Sequence, residues 1–348
     1  MRYWMMLGVL MGALWAQEPK SRIDFESSQH GWFVLPGAGG TVALTENPND
    51  VKAGKRALRY TYTAAAGALN AIMYLEPENW AQAFRFWIKA DRPALFALSV
   101  QEESGERWHA PFWVSGNEWQ QTTIALSDFM LAEDTKPVNN KLDMDDVQGI
   151  GLIDVSAIFL STPEAAILFG DHSGTRMMWL DEFEFLSRAP ARRSDSNSID
   201  DFQRDYLVWM STAYTTLKIE ATGMRVEYNL PFPYLFGALR MVEPSSLRGT
   251  KGLEIAIRVK TPTTLAVFVE ETDGERWSAT FEAGGESKPE PKRLLWSQFT
   301  ITDDTKGKGD GKLDPASVKL LSLVDWGVLS EGAPSANHWL VEAVRKVK

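Results

Sequence analysis

The chain has no cysteine among its 348 residues, which excludes disulfide staples, thiol catalysis, Cys-ligated metal and acylation of a cleavage-site cysteine. Histidine is scarce, with only His30, His109, His172 and His338, and none of them falls in an H-E-x-x-H arrangement. G-x-S-x-G, Walker and G-x-G-x-x-G contexts are also missing, which argues against the common hydrolase, nucleotide and dinucleotide chemistries. No basic patch accompanies the net charge of −10, so affinity for the nucleic-acid backbone is not expected. Beyond the N-terminus there is no apolar run of about 20 residues, the length a membrane-spanning helix needs. Helical periodicity is equally absent from the rest of the chain.

The N-terminus is the exception. Arg2, an apolar run from Trp4 to Trp15 and the small residue Ala16 read as a signal peptide spanning residues 1–16, cut before Gln17. Export, either to the periplasm or out of the cell, follows from that reading. With no disulfides available, stability has to come from packing, to which 14 Trp and 17 Phe can contribute.

What the chain does contain is a long repeat. SVQEESGERW at Ser99–Trp108 returns as FVEETDGERW at Phe268–Trp277, 277 − 108 = 169 residues later, about one domain length. FRFWIKADRP at Phe84–Pro93 is matched by LEIAIRVKTP at Leu253–Pro262, and LSDFMLAEDTK at Leu126–Lys136 by WSQFTITDDTK at Trp296–Lys306. KLDMDDV at Lys141–Val147 is answered by KLDPASV at Lys312–Val318, and both copies close on a Trp-Leu pair, Trp179-Leu180 and Trp339-Leu340. The reading is two domains, 22–186 and 199–348, joined by the Ser-, Pro- and Arg-rich segment 187–198.

Each copy is built of short runs that alternate apolar and polar residues, such as Arg56–Thr63, Phe84–Ala90, Ala94–Gln101, Arg107–Val114 and Gln120–Ala125. Gly, Pro, Asn and Asp punctuate them. The pattern predicts an all-β protein of two tandem antiparallel β-sandwich, or jelly-roll, domains. The only helical candidates after the leader are turns at Pro77–Ala81 and Asp314–Val318, the second capped by Asp314 with Pro315 in its first turn.

Three stretches resemble one family: "IDFE…GW" at Ile23–Trp32, the SDF…KLD…GIGL-D segment at Ser127–Asp154, and WLDEFEF at Trp179–Phe185. Together they resemble galactose-binding-like jelly rolls, in particular carbohydrate-binding module family 11 and the domain named after complex I intermediate-associated protein. The resemblance implies a polysaccharide or oligosaccharide partner bound without catalysis. It also implies a structural Ca²⁺ held by an acid on the first strand and an Asp on the last, which here are Glu26 and Asp181. Copy two places Gln203 and, by the Trp-Leu alignment, Val341 at those positions, so the site is expected in copy one only. The alternative is that both acids are ordinary strand-edge residues.

A jelly roll of this kind would hold its glycan on a sheet face. Strand alternation puts Arg85, Trp87 and Lys89 on one side of their strand, opposite core-facing Phe84, Phe86, Ile88 and Ala90. The same alternation separates Arg107, His109 and Trp113 from Trp108, Ala110 and Phe112, and sets Gln101 beside Ser99. Two readings follow. These seven residues line a groove in which Trp87 or Trp113 stacks on a sugar ring and the polar groups bond its hydroxyls. Alternatively, the aromatics pack beneath a loop or against the other domain. Copy two carries Ala256, Ser278 and Arg258 in place of Trp87, His109 and Lys89, which favours copy one as the binding module. The other functions weighed are a protein-interaction component of the cell envelope and a glycan-active enzyme whose paired carboxylates meet only in space.

The shared Glu-Arg-Trp block, Glu106-Arg107-Trp108 and Glu275-Arg276-Trp277, follows a turn glycine in both copies, Gly105 and Gly274, and reads as scaffold. Asp154 and Asp325 each end an apolar strand in both copies and read the same way. In the loop Asp303–Asp314, lysines fall where an EF-hand places ligands, and the loop is read as a solvated turn.

Overall fold

A computed structural model of the chain describes residues 21–132, 134–157, 168–192, 195–243, 245–285 and 289–348. The signal peptide expected at residues 1–16 lies outside the described residues. Among the described residues no helix is long and apolar enough to cross a membrane.

The first unit contains β1 (Ser21–Ile23), β2 (Trp32–Val34), β3 (Thr41–Thr45), β4 (Ala57–Ala64), β5 (Asn70–Leu75) and β6 (Ala83–Ala90). It continues with β7 (Ala94–Glu102), β8 (Arg107–Val114), β9 (Gln120–Ala125), β10 (Met130–Leu131), β11 (Val147–Asp154) and β12 (Gly174–Leu186). The second unit contains β13 (Ser198–Asp200), β14 (Trp209–Ser211), β15 (Thr216–Glu220), β16 (Gly223–Asn229), β17 (Gly237–Met241) and β18 (Gly252–Val259). It ends with β19 (Thr263–Glu271), β20 (Arg276–Ala283), β21 (Glu290–Leu295), β22 (Thr300–Ile301), β23 (Val318–Asp325) and β24 (Ala336–Val347).

Every strand has its counterpart twelve strands later. Sheet I is ordered β3-β4-β12-β6-β9 with β1 on β12, and sheet II is ordered β10-β8-β7-β11-β5-β2. Sheets III and IV repeat these orders as β15-β16-β24-β18-β21, with β13 on β24, and β22-β20-β19-β23-β17-β14. All pairings are antiparallel, so the protein is two tandem β-sandwiches of one topology, as the alternating runs predict. Each sandwich closes because inward side chains of its two sheets meet. Phe84, Phe86 and Ile88 of sheet I pack with Phe96, Leu98 and Phe112 of sheet II.

The register corrects one equivalence drawn from the repeat. Leu180 pairs with Ile88, and the residue facing Ile257, the 169-residue equivalent of Ile88, is Val341. Met178 therefore corresponds to Trp339, and Asp181 to Glu342; the two Trp-Leu pairs are one residue out of step. A one-residue slip reverses every side chain's face. Trp339 is accordingly in the core, while Trp179 lies on the outer face of sheet I beside Lys89. Copy two thus keeps an acid at the Asp181 position, where Glu342 forms an ion pair with Arg258.

The domains share a tight junction. Leu95 and Trp113 of the first unit join the hydrophobic core of the second, and Tyr206 of the second joins that of the first. The Trp113 amide donates to the Leu207 carbonyl (2.7 Å), and Asp205 accepts from the Thr123 amide (2.9 Å) and hydroxyl (2.6 Å). Arg192 and Arg204 both reach Asp128.

Candidate functional site

The seven residues expected to form one groove are divided between two sheets. Arg85, Trp87 and Lys89 stand on β6 in sheet I, whereas Gln101, Arg107, His109 and Trp113 stand on β7 and β8 in sheet II. The outward faces of a sandwich's two sheets point in opposite directions, so no single groove contains both sets.

On sheet I the aromatic-cation ladder is covered by the loop that follows β3. Lys89 is buried, with Nζ 2.7 Å from the Asp50 carboxylate and 2.6 Å from the Asn49 carbonyl, and it sits over Trp179 at 4.4 Å. Lys52 from the same loop lies 4.0 Å over the Trp87 ring, and Arg85 is paired with Glu184. Trp87 is therefore a packing surface for the loop, as in the second reading of the sequence, and not an open platform.

On sheet II, Gln101 pairs with Arg107 and Ser99 with His109, so those polar groups do share a face. Arg107 is tied to Asp134 at 2.6 Å, and burial holds the His109 imidazole below its usual pKa and hence neutral. Trp113, the aromatic expected to stack on sugar at this face, is 2% exposed beneath the second domain.

The carboxylates expected to hold Ca²⁺ are otherwise engaged. Glu26 Oε1 accepts the amides of Lys55 (2.6 Å) and Arg56 (3.0 Å). Asp181 Oδ2 accepts those of Lys52 (2.9 Å) and Ala53 (3.0 Å), and its Oδ1 that of Glu182 (2.9 Å). The Lys55 amide holds Glu26 below the usual carboxylate range, while burial pushes Asp181 up. Calcium needs about six to eight oxygens with their lone pairs turned toward it. Here N–H dipoles present their positive ends to the same carboxylates, so this donor set does not fit the ion. Chelation with EDTA is expected to leave the melting temperature unchanged; a Ca²⁺-dependent rise in calorimetry would overturn this.

Glu271, Asp273 and Glu275 have ligand oxygens within 4.8 Å of one another. This group is likewise occupied by backbone: Glu275 accepts the amides of Gly309 and Gly311, and Glu271 accepts the Asp314 amide and the Trp277 indole N–H. Asp154 and Asp325 are structural, as expected, each receiving a buried tyrosine hydroxyl, from Tyr62 and Tyr228 respectively.

An open aromatic surface lies instead on sheet IV, in the second domain. Trp326, at the start of the short helix Gly327–Ser330, is 36% exposed, and its ring centroid is 6.1 Å from that of Phe268 on β19. Phe268 points outward, since its neighbours Val267 and Val269 enter the core. Beside the two rings, the Thr264 hydroxyl lies 2.8 Å from a carboxylate oxygen of Glu282 and 2.8 Å from one of Glu331. A hydroxyl has one proton to give, so at any moment one of these exposed carboxylates takes its hydrogen bond from elsewhere. Ser278, Ser322 and Thr280 share the face through their pairings with Phe268 and Ala266. At its far end Glu270 is bound by Lys319 (3.0 Å) and Arg276 (3.6 Å).

In copy one the positions of Phe268, Glu282 and Trp326 are held by Ser99, Trp113 and Val155. The second domain covers the Trp113 end of that face, whereas the matching end in copy two is open. In the sequence this face is marked by an aromatic that copy two has and copy one lacks, Trp326 against Val155 after the shared strand-ending Asp.

The fold and face define a tandem β-sandwich protein with an aromatic, carboxylate-flanked sheet surface. No protein-family model matches the chain, and no curated protein does. Among solved structures the chain is similar to the family 11 carbohydrate-binding module of a cellulosomal cellulase of Clostridium thermocellum, at 15% identity and TM-score 0.36, covering 51% of this chain and 98% of that one. It is also similar to the N-terminal CBM22 tandem domain of Paenibacillus barcinonensis Xyn10C, at 14% identity and TM-score 0.32, covering 96% and 98%.

Proposed function

We propose that the protein is an exported, non-catalytic carbohydrate-binding protein whose polysaccharide or oligosaccharide partner lies on the outer face of sheet IV. The observation that carries this reading is the exposed Trp326, paired with the half-buried, outward-facing Phe268 and set beside Thr264, Glu282 and Glu331. A pyranose presents an apolar C–H face to an aromatic ring and hydroxyl donors at its rim. The carboxylate that Thr264 leaves without a proton donor among the described residues is an acceptor for one such hydroxyl. Glu282 and Glu331 are acceptors here and not an acid/base pair. A glycosidase acid works from an enclosed site, and both of these side chains are exposed.

A second reading, a protein-docking face, is favoured by one observation: the matching face of copy one is already covered by protein, at Trp113 and Leu207. A glycan array that includes mixed-linkage β-glucans and xylans separates the two. Carbohydrate binding predicts retention on at least one polysaccharide and a loss of roughly 30-fold or more in Trp326→Ala, the scale of a stacking hot spot. Retention undiminished in Trp326→Ala overturns the site, and no binding to any glycan overturns the function in favour of protein docking.

A further inference from the structure

A pocket of about 240 Å³ opens where the two domains meet, with Arg92, Asp171 and His172 on one side and Tyr214 on the other. Its walls are joined by a backbone hydrogen bond from Ala213 to the Leu168 carbonyl (2.8 Å), so the pocket is built into the domain junction. Tyr214 is 61% exposed and has φ +62°, a left-handed conformation that bulky residues rarely adopt.

The turn beneath Tyr214 explains how that conformation is maintained. Thr215 N–H bonds the Thr212 carbonyl (3.2 Å), and the two threonine hydroxyls accept the Gly237 amide at 2.9 and 3.3 Å. Strain of this sort persists only where the surroundings over-determine it, and it gathers at functional positions. Tyr234 and Phe232 pack nearly perpendicular to the Tyr214 ring, with centroids at 5.1 and 6.2 Å, so an exposed aromatic is held in one orientation before any ligand arrives.

The facing wall supplies polar groups. Asp171 Oδ1 accepts the Ser173 amide (2.8 Å) and hydroxyl (2.5 Å), and no described residue bonds its Oδ2. Arg92 is fixed by the carbonyls of Thr175 (2.9 Å) and Ser173 (3.4 Å), with donors to spare. One carboxylate and one guanidinium give the wall no net charge, which suits a neutral ligand better than an anion. The volume is below the range of drug-sized sites and suits a single sugar ring.

We propose that this interdomain pocket is a separate glycan subsite, in which one neutral pyranose stacks on Tyr214 while its hydroxyls bond Asp171 and Arg92. It rests on the carbohydrate reading of the protein but not on the sheet IV face. The test is saturation-transfer NMR on the full chain with methyl β-D-glucopyranoside, methyl β-D-galactopyranoside and methyl β-D-xylopyranoside. Wild type and Trp326→Ala are expected to show transfer from at least one of them. Placed in the Trp326→Ala background, so that the sheet IV face contributes no transfer, Tyr214→Gly is expected to lose it while melting higher than Trp326→Ala alone, because glycine adopts the left-handed conformation without strain. Asp171→Ala, on the opposite wall, is expected to lose it too and serves if the glycine variant does not fold. Transfer that survives both variants, or disappears in Trp326→Ala, overturns the pocket. So does a wild type that binds array polysaccharides but none of these monosaccharides, which leaves the carbohydrate reading standing. Binding to neither class of probe overturns both.

Discussion

Trp113→Ala is expected to destabilise the protein by about 3–5 kcal/mol, the range for removing a fully packed large aromatic. It is also expected to split one unfolding transition into two. The indole is almost wholly buried and, with Leu95, joins the hydrophobic core of the second domain, which contains Leu207 and Trp209. Truncation opens a cavity at the point where the two cores meet. The ties that remain, Leu95 and Tyr206 in the opposite cores and the polar contacts from Thr123 to Asp205 and from Arg192 and Arg204 to Asp128, hold the domains together but couple their cores more weakly. Differential scanning calorimetry distinguishes the cases: separated transitions are expected for the variant and a single one for the wild type. Were Trp113 the sugar-stacking residue that its strand position suggested, the variant would melt like wild type and lose only glycan binding.

Trp113 illustrates how far the sequence could be read. Period-2 alternation placed it correctly on the outer face of its strand, and the predicted strand Arg107–Val114 matches β8 residue for residue. Alternation reports a face, however, and is silent on what covers it; the second domain does so through contacts distant in sequence. It also cannot say which sheet a strand joins. β6 and β7 are consecutive, yet the jelly-roll path sends them to opposite sheets, and this separated Trp87 from His109. The Trp-Leu alignment failed for a related reason. Identical dipeptides in the two last strands are one register apart, and only the pairing partners Ile88 and Ile257 reveal which face each residue takes. Trp326 was missed because it follows its strand in an irregular turn, where no periodicity operates.

Glu275→Ala should show what the repeated Gly-Glu-Arg-Trp block is for. Glu275 is completely buried, and it receives the amides of Gly309 (3.0 Å) and Gly311 (3.1 Å) from the loop that follows β22. Four residues earlier, Glu271 receives the Asp314 amide (2.8 Å) and the Trp277 indole N–H (2.7 Å). Copy one repeats the device: Glu106 accepts from Val138 (2.7 Å), and Glu102 accepts from Asp143 (2.6 Å) and the Trp108 indole (3.3 Å). In both copies, then, the two acids and the Trp are a clamp that fastens a long, mostly polar loop, whose few apolar anchors are Leu142 and Met144 in copy one and Leu313 in copy two. A Cβ at Gly309 would collide with the Asp273 carboxylate oxygen and lie 2.9 Å from the Glu275 carboxyl carbon, so the close approach of the loop to these two acids favours glycine. Removing the Glu275 carboxylate takes the partner from the amides of two exposed glycines, which water can then solvate, so a global loss of only about 1–2 kcal/mol is expected. Local release should be larger than global destabilisation, with trypsin cutting first at Lys306, Lys308 or Lys312 under native conditions. Glu275→Gln keeps an acceptor oxygen and should retain much of the protection. If Glu275→Ala resists trypsin as the wild type does, the clamp is not what holds the loop.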